Sequence, residues 1–398
     1  MTDVSPAEDT AAAAAPAPPA ARKPAAKKPA PATTAKSAKK PARAPRQTKS
    51  AAAKATAEPE LAAAVVQAVP VPAPAAAPEA SPAPIVPLRR IRVVLARDGA
   101  ALHVVEHGPA DAAVTVVLAH GWTLTHGSWA VPARTLVTDP GASVRVVTYD
   151  QRGHGRSSSG LVRPYSIDQL GQDLFDVLEA VAPSGPVVLG GHSMGGMTIM
   201  ALAAARPELF GARVRGVLLV GTSSGDLVPL AEPFPVAERL RARAGLRFFA
   251  LGQRRPEVFA RGRRILPGPH TKSHLRSVKL GLFGPDADES VVRSCAWMVH
   301  NTSVEALCGY FPAIAAHDKA GQLAALASVP VHIVVGDRDK LTPLQHSRRL
   351  AAELPHAELR IEPRCGHMVL TERPQSVTAP LRELCRVAAA GPSAVPAH

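Results

Sequence analysis

Cysteine and aromatic residues are scarce in this chain, whose 398 residues include four cysteines and only 4% Phe, Trp and Tyr. The cysteines, Cys295, Cys308, Cys365 and Cys385, show no C-x-x-C spacing, so a compact thiolate metal site is not expected. A disulfide framework does not suit a chain of this length. No apolar run reaches the length of a membrane span. The first residues include Asp3, Glu8 and Asp9 instead of a basic leader region, and prolines interrupt the alanines that follow. No secretory leader is expected there, and a reduced, cytoplasmic protein is the simplest expectation. The histidines are scattered along the sequence, so no metal and no cofactor are expected.

Acidic residues are missing in one particular stretch. From Arg22 to Lys54 there is no Asp or Glu, while Lys and Arg recur between Ala and Pro. The whole of Met1 to Pro87 lacks aromatics and has no apolar period that could bury a core. Such a segment cannot offset the entropy of ordering, so a disordered tail is expected over 1–87. It contributes to the net charge of +14. One reading of the tail is a solubilising spacer. The other is nonspecific contact with a polyanion, nucleic acid or an acidic membrane surface, through counterion release. Its Lys-Pro-Ala units resemble the tails of linker histones and bacterial histone-like proteins. One folded domain is expected over 88–390, with 391–398 outside it.

What the folded part does contain is Gly191-His192-Ser193-Met194-Gly195, a G-x-S-x-G pattern between the apolar run Val187-Val188-Leu189 and an Ala/Met-rich helical run. Strand, sharp turn and helix are the context in which a serine hydroxyl stands exposed at a strand end. A serine needs a base for its proton and a carboxylate to orient that base. Both lie downstream. The strand candidate Val331 to Val335 runs into Gly336-Asp337-Arg338-Asp339, with Pro343 beyond, and Ala357 to Ile361 is followed by Pro363-Arg364-Cys365-Gly366-His367-Met368. Ser193, Asp339 and His367 thus follow the chain order that accompanies this turn. A developing oxyanion needs donors. The strand Thr115 to Ala119 ends in His120-Gly121-Trp122, which makes the amides of Trp122 and Met194 the donor candidates. His120 and Gly121 are expected against the substrate, with Gly121 allowing close backbone approach.

These motifs, together with Asp150-Gln151-Arg152-Gly153-His154-Gly155-Arg156-Ser157 and Glu372-Arg373-Pro374, resemble the α/β-hydrolase superfamily, in its lipase and esterase-like branch. The resemblance covers about Arg90 to Ala390. It implies the acid three residues after Gly336 and four before Pro343, hence Asp339 and not Asp337, which is left as a turn residue. It also implies that the Asp150 to Ser157 loop shapes the site, that Arg152 and His154 are structural, and that His192 points away from the substrate. Cys365 is expected to pack its loop.

The periodicities fit an α/β fold. A hairpin is expected at Ile91 to Ala96 and Ala101 to Val105 around Asp98-Gly99, then strands at Val114 to Leu118, Val144 to Thr148, Val187 to Leu189, Val214 to Val220, Val331 to Val335 and Ala357 to Ile361. Helical patterns lie between them, which implies a mostly parallel eight-stranded sheet covered on both faces. Between Gly221 and Ser328 there are helical patches and no strand, as expected for a helical cap over about 222–328. Its first half is crowded with Arg239, Arg241, Arg243, Arg247, Arg254, Arg255, Arg261, Arg263 and Arg264, read as a solvated face or a surface that steers anions. Interleaved apolar residues pack the cap, and Phe248 and Phe249 are candidates for an acyl pocket.

The chemistry expected is acyl transfer to water. A serine at 193 argues against branches that need a carboxylate nucleophile, and Met368 after the histidine resembles esterases more than carbon-carbon bond hydrolases. A carboxylesterase or lipase-like serine hydrolase is the first expectation. Thioester, lactone and perhydrolysis chemistry remain open on the same triad. A non-catalytic ligand-binding protein is the reading from another class, and a complete nucleophile, acid and base argue against it.

Overall fold

The structure is a computed structural model that describes residues 89–139, 143–228, 235–265 and 268–391. The tail expected over 1–87 and the last seven residues lie outside the described residues. In chain order the elements are β1 (Arg89–Leu95), β2 (Ala101–His107), β3 (Val114–Ala119), α1 (Ala130–Val137), β4 (Val144–Tyr149), α2 (Ile167–Val181), β5 (Val187–His192), α3 (Met194–Ala205) and β6 (Val214–Val220). Five helices follow: α4 (Val236–Arg254), α5 (Pro256–Ile265), α6 (Lys272–Leu282), α7 (Glu289–Asn301) and α8 (Val304–Ala315). The chain closes with β7 (Val331–Gly336), α9 (Leu344–Glu353), β8 (Glu358–Glu362), α10 (Val369–Glu372) and α11 (Pro374–Ala390).

The eight strands form one sheet in the order β1-β2-β4-β3-β5-β6-β7-β8, and only β1–β2 and β2–β4 pair antiparallel. The inner strands β3, β5 and β7 are buried along their whole length, which is why they read as continuous apolar runs. β1 is an edge strand, and Arg89, Arg90 and Arg92 on it discourage further pairing. The hairpin turns at Gly99, with φ of 82°.

Both faces of the sheet are covered. On one side α2 buries Ile167, Leu170, Leu174, Val177, Leu178 and Val181, a helical stripe, and starts at Ser166, whose Oγ accepts from Gln169 N at 3.1 Å. α3 lies beside it and is buried on nearly every side, as its unbroken small and apolar sequence requires. α1 and α11 cover the other face, with Trp129, Leu381 and Leu384 in its core. Most strands end one to three residues later than the apolar runs alone suggest, because pairing continues into residues such as His192 and Gly336, whereas β6 ends at Val220 as expected and β1 one residue before Ala96. The segment between β6 and β7 contributes helices and no strand among the described residues. No helix there or elsewhere among them is long and apolar enough to cross a membrane.

Candidate active site

Parallel strands bring their carboxyl ends to one edge, so the loops after β3, β5 and β7 meet there. The turn after β5 places Ser193 at φ 52° and ψ −118°, a strained conformation for a residue with a side chain. Close packing holds it: a Cβ on Gly195 would come within 2.2 Å of the Ala119 carbonyl oxygen. A Cβ on Gly121 would lie 2.9 Å from His192 Nδ1 and 3.2 Å from Ser193 Cβ, so β3's end can approach the serine only through glycine. α3 begins at Met194, one residue earlier than the motif's second glycine suggested. Among the described residues, the amides of Trp122 and Met194 donate to no protein acceptor, and Met194 opens a helix whose first N–H groups are free by geometry.

Asp339 and His367 come from loops 28 residues apart in sequence. His367 Nδ1 donates to Asp339 Oδ2 at 2.8 Å, which leaves Nε2 for another partner. Asp339 is tightly held: Oδ1 accepts the amides of Leu341 and Thr342, both at 2.9 Å, and Oδ2 accepts Thr342 Oγ1 at 2.8 Å. Burial alone would raise its carboxyl, but the charge and hydrogen bond of His367 and the bonds from Thr342 outweigh that and hold it below the ordinary range. Asp337 does not reach the histidine. Its Oδ1 accepts the Cys365 amide at 3.3 Å and so ties the two loops together, a longer-range role than the local turn expected of it. Cys365 is fully buried beside it in the core.

Three further histidines frame the site. His192 donates from Nε2 to the His367 carbonyl at 3.0 Å, and burial keeps its imidazole neutral with a pKa of about 3. His120 accepts the Gln151 amide on Nε2 at 2.9 Å and is fully buried, its pKa lowered by that burial to about 4. It positions a loop and is not exposed to a ligand, contrary to the substrate contact expected of it; Gly121 likewise acts by close approach. His154 is held neutral by burial at about 3. Arg152 is buried and forks between Asp173, at 2.8 and 2.6 Å, and Asp98, at 2.6 and 2.9 Å. Gln151 receives Thr198 Oγ1 at 2.8 Å, joining this loop to α3.

The histidines are less scattered than the sequence suggests. His126 Nδ1 lies 2.9 Å from Asp150 Oδ1, and His103 Nδ1 lies 3.2 Å from Oδ2. The same two oxygens accept the amides of His126 at 2.7 Å and Arg156 at 3.0 Å. Burial raises the Asp150 carboxyl, but the hydrogen bond to His126 and the neighbouring imidazoles bring it well below the usual carboxylate range. Nothing in the sequence brings residues 103, 126 and 150 together; only the sheet order does.

Ser193 and His367 line one cavity of about 760 Å³, with Trp122, Leu124, Leu227, Phe311 and Ile314 on its apolar walls. The helices of the β6–β7 segment close it. α4 contributes Glu238, Arg241 and Ala242, and α6 contributes His274, Ser277 and Val278. Phe248 and Phe249 do not line it. Phe248 is 58% exposed and packs on Phe259, while Phe249 stands one layer back, stacked on Phe311 at 4.2 Å. Spacing along α4 could not say which of its faces turns inward, and the inward one starts a turn or two earlier. Of the crowded arginines Arg241 reaches the cavity, and Arg263 is turned inward to donate to the carbonyls of His300 and Thr302. The side chain of Arg264 lies outside the described residues.

Comparison with known proteins agrees with this geometry. A family model described as alpha/beta hydrolase fold matches residues 114–374, so the chain belongs to the α/β-hydrolase family. A Variovorax paradoxus protein provisionally named carbamate hydrolase RutD is 30% identical over 291 residues, 73% of this chain and 98% of that one. The 3-oxoadipate enol-lactonase 2 of Acinetobacter baylyi is 28% identical over 231 residues, covering 58% and 74% of the two chains. Among solved structures, a thermophilic esterase from Thermogutta terrifontis shares the fold with TM-score 0.59 at 22% identity, covering 75% of this chain and 99% of its own. The enol-lactonase of Burkholderia xenovorans has TM-score 0.57 at 22% identity, covering 74% and 100%.

Proposed function

We propose that the protein is a serine hydrolase that cleaves carboxylic esters through an acyl-enzyme on Ser193. His367 is the general base, Asp339 holds it in the Nδ1–H tautomer, and the amides of Trp122 and Met194 receive the oxyanion. The observation that carries this reading is the Asp339 to His367 bond of 2.8 Å beside a positive-φ serine on the same cavity. His367 takes the hydroxyl proton as Ser193 attacks the carbonyl, then gives it to the departing alcohol; water repeats the cycle and frees the acid. The largely apolar cavity walls favour an acyl group with a hydrocarbon portion.

Lactone opening is a second reading, favoured by the enol-lactonase names among the relatives and requiring no change in the machinery, since the leaving alcohol is merely tethered. A fluorophosphonate probe tests the shared part: it should label the wild type and leave Ser193→Ala unlabelled, and an unlabelled wild type would refute it. A panel of nitrophenyl esters, lactones, carbamates and thioesters, read as kcat/KM, then separates the substrate classes. The basic tail adds, in the same proposal, electrostatic contact with polyanions.

A further inference from the structure

Helix α6 separates two cavities. Its residues His274, Ser277, Val278, Gly281 and Leu282 face the site that holds Ser193. The intervening stripe, Lys272, Leu275, Arg276, Lys279 and Leu280, lines a second cavity of about 830 Å³ on the other side. Spacings of three and four residues put each set on one helical face. Beyond the helix, Phe283 continues the apolar floor, and Arg338 and Lys340 close the far wall from the loop after β7. Lys340 lines both cavities.

This second groove combines five cations with an apolar floor and a single carboxylate. That carboxylate, Glu289, is engaged by Arg293 at 2.7 Å. Of the other nearby acids, Asp286 is bound by Arg364 at 2.6 Å, and Asp288 caps α7 through Ser290 N at 2.7 Å. Asp337 lies 3.8 Å from Arg338. Lys279 and Lys340 donate to the carbonyls of Ala287 and Leu280, at 3.1 and 2.6 Å, which fixes their position, and Lys279 also feels the charges of Asp286 and Asp288 at the groove's rim. α6 has no acid in its first turn and begins instead with Lys272, where a cation is opposed by the helix dipole. Leu280 stands 57% exposed between these charges. Mutually repelling cations around an exposed apolar strip gain most from a ligand that is anionic at one end and hydrocarbon at the other.

We propose that this groove binds a phosphate-bearing amphiphile, the phosphate held by Lys272, Arg276 and Arg338 and the hydrocarbon laid along Leu275, Leu280 and Phe283. The test is calorimetric titration of the full chain with n-octyl phosphate, and with n-octanol as the uncharged match. Octyl phosphate should bind, octanol should bind far more weakly, and added salt should weaken the phosphate affinity. Lys272→Glu with Arg276→Glu should lower that affinity at least about tenfold, as loss of two charge-assisted contacts requires. Both side chains are exposed, and circular dichroism together with fluorophosphonate labelling checks that the variant is folded. Lys272→Arg with Arg276→Lys should retain binding. Co-sedimentation with vesicles of anionic phospholipid that is stronger for the wild type than for the charge-reversed variant, both carrying the same basic tail, marks a lipid headgroup as the source; binding of octyl phosphate without that difference marks a soluble phosphate ester. No binding of octyl phosphate, equal binding of octanol, or full affinity in the charge-reversed variant overturns the proposal.

Discussion

The loops at the ends of β3, β5 and β7 and the outer helices α4 and α5 are built on opposite terms. In these loops, and in the one after β4, polar side chains are anchored by buried partners: Asp339 accepts from four groups, His192 pins the backbone of His367, and Arg152 joins two carboxylates. In α4 only Gly252 is buried among the described residues, and Val236, Leu240, Phe248 and Leu251 are exposed. α8 is different again, since Ala306, Tyr310 and Ile314 share a core with Met194 and Met197 of α3. The lesson is a division of labour. Reacting groups need positions fixed to fractions of an ångström, whereas a helix that only walls a cavity can leave most of its side chains in solvent.

Predictions that break this comparison start at the reacting groups. Ser193→Ala and His367→Ala should each lower kcat on a nitrophenyl ester by about 10⁴ to 10⁶, and the double variant should lose little more, because the members act as a unit. Asp339→Asn should cost about 10² to 10⁴. An Asp337→Asn variant that loses as much as Asp339→Asn would show that the loop geometry misplaces the acid.

Next in size is Arg152. Arg152→Met leaves Asp173 buried beside an apolar group, so urea unfolding should report a loss of about 3 to 5 kcal/mol. The activity per folded molecule should hardly move, since Arg152 touches none of the reacting groups. A loss below about 1 kcal/mol would mean that the fork between Asp98 and Asp173 is not what secures this loop.

The pH profile sharpens the contrast further. His120, His154 and His192 are held by burial at about 4, 3 and 3, so the native state binds no proton there until the solution is that acid. The unfolded chain binds them near the ordinary value of 6.5. Unfolding therefore takes up protons between these limits, and stability should fall steadily as pH drops from about 6.5 toward 4. Asp339 works the other way, with a lowered native pKa: its contribution is intact above the ordinary 3.8 and is lost only as pH falls below that. Urea midpoints across this range measure the slope, and a flat profile would contradict neutral buried imidazoles.

Smaller effects belong to the outer wall. Phe311→Ala should change the ratio of kcat/KM between short and long acyl chains by roughly tenfold, the scale of a few methylenes in an apolar pocket. Phe248→Ala, outside the cavity, should leave that ratio within about twofold. Smallest of all, removal of residues 1–87 should leave thermal stability and turnover of a soluble ester nearly unchanged while abolishing salt-sensitive polyanion binding. Retained binding would transfer that role to the folded domain's own cations.

Much of the fold, and the chain order of Ser193, Asp339 and His367, could be read from residues alone. Apolar runs gave the strands because inner parallel strands are buried on both faces, and Gly191 to Gly195 marked the turn because only glycine fits against Ala119 and Gly195's own carbonyl. Local rules reach that far. In the sequence only the family resemblance sets Asp339 apart from its neighbour Asp337, although Thr342, three residues on, is the hydroxyl that donates to it.

Only the tertiary structure decided the rest. His103, His126 and Asp150 converge because β2 and β4 pair while the loop after β3 crosses to meet them, a consequence of strand order that no spacing encodes. The inward face of α4, the withdrawal of Phe248 and Phe249 behind Phe311, and the two-sided use of α6 follow from how each helix is rotated when it docks. The sequence by itself determined which residues repeat on a common face and which backbone turns need glycine, because those are contacts between near neighbours in the chain. Which face looks at the substrate is set by packing between distant segments, and that energy is defined only once the sheet has assembled.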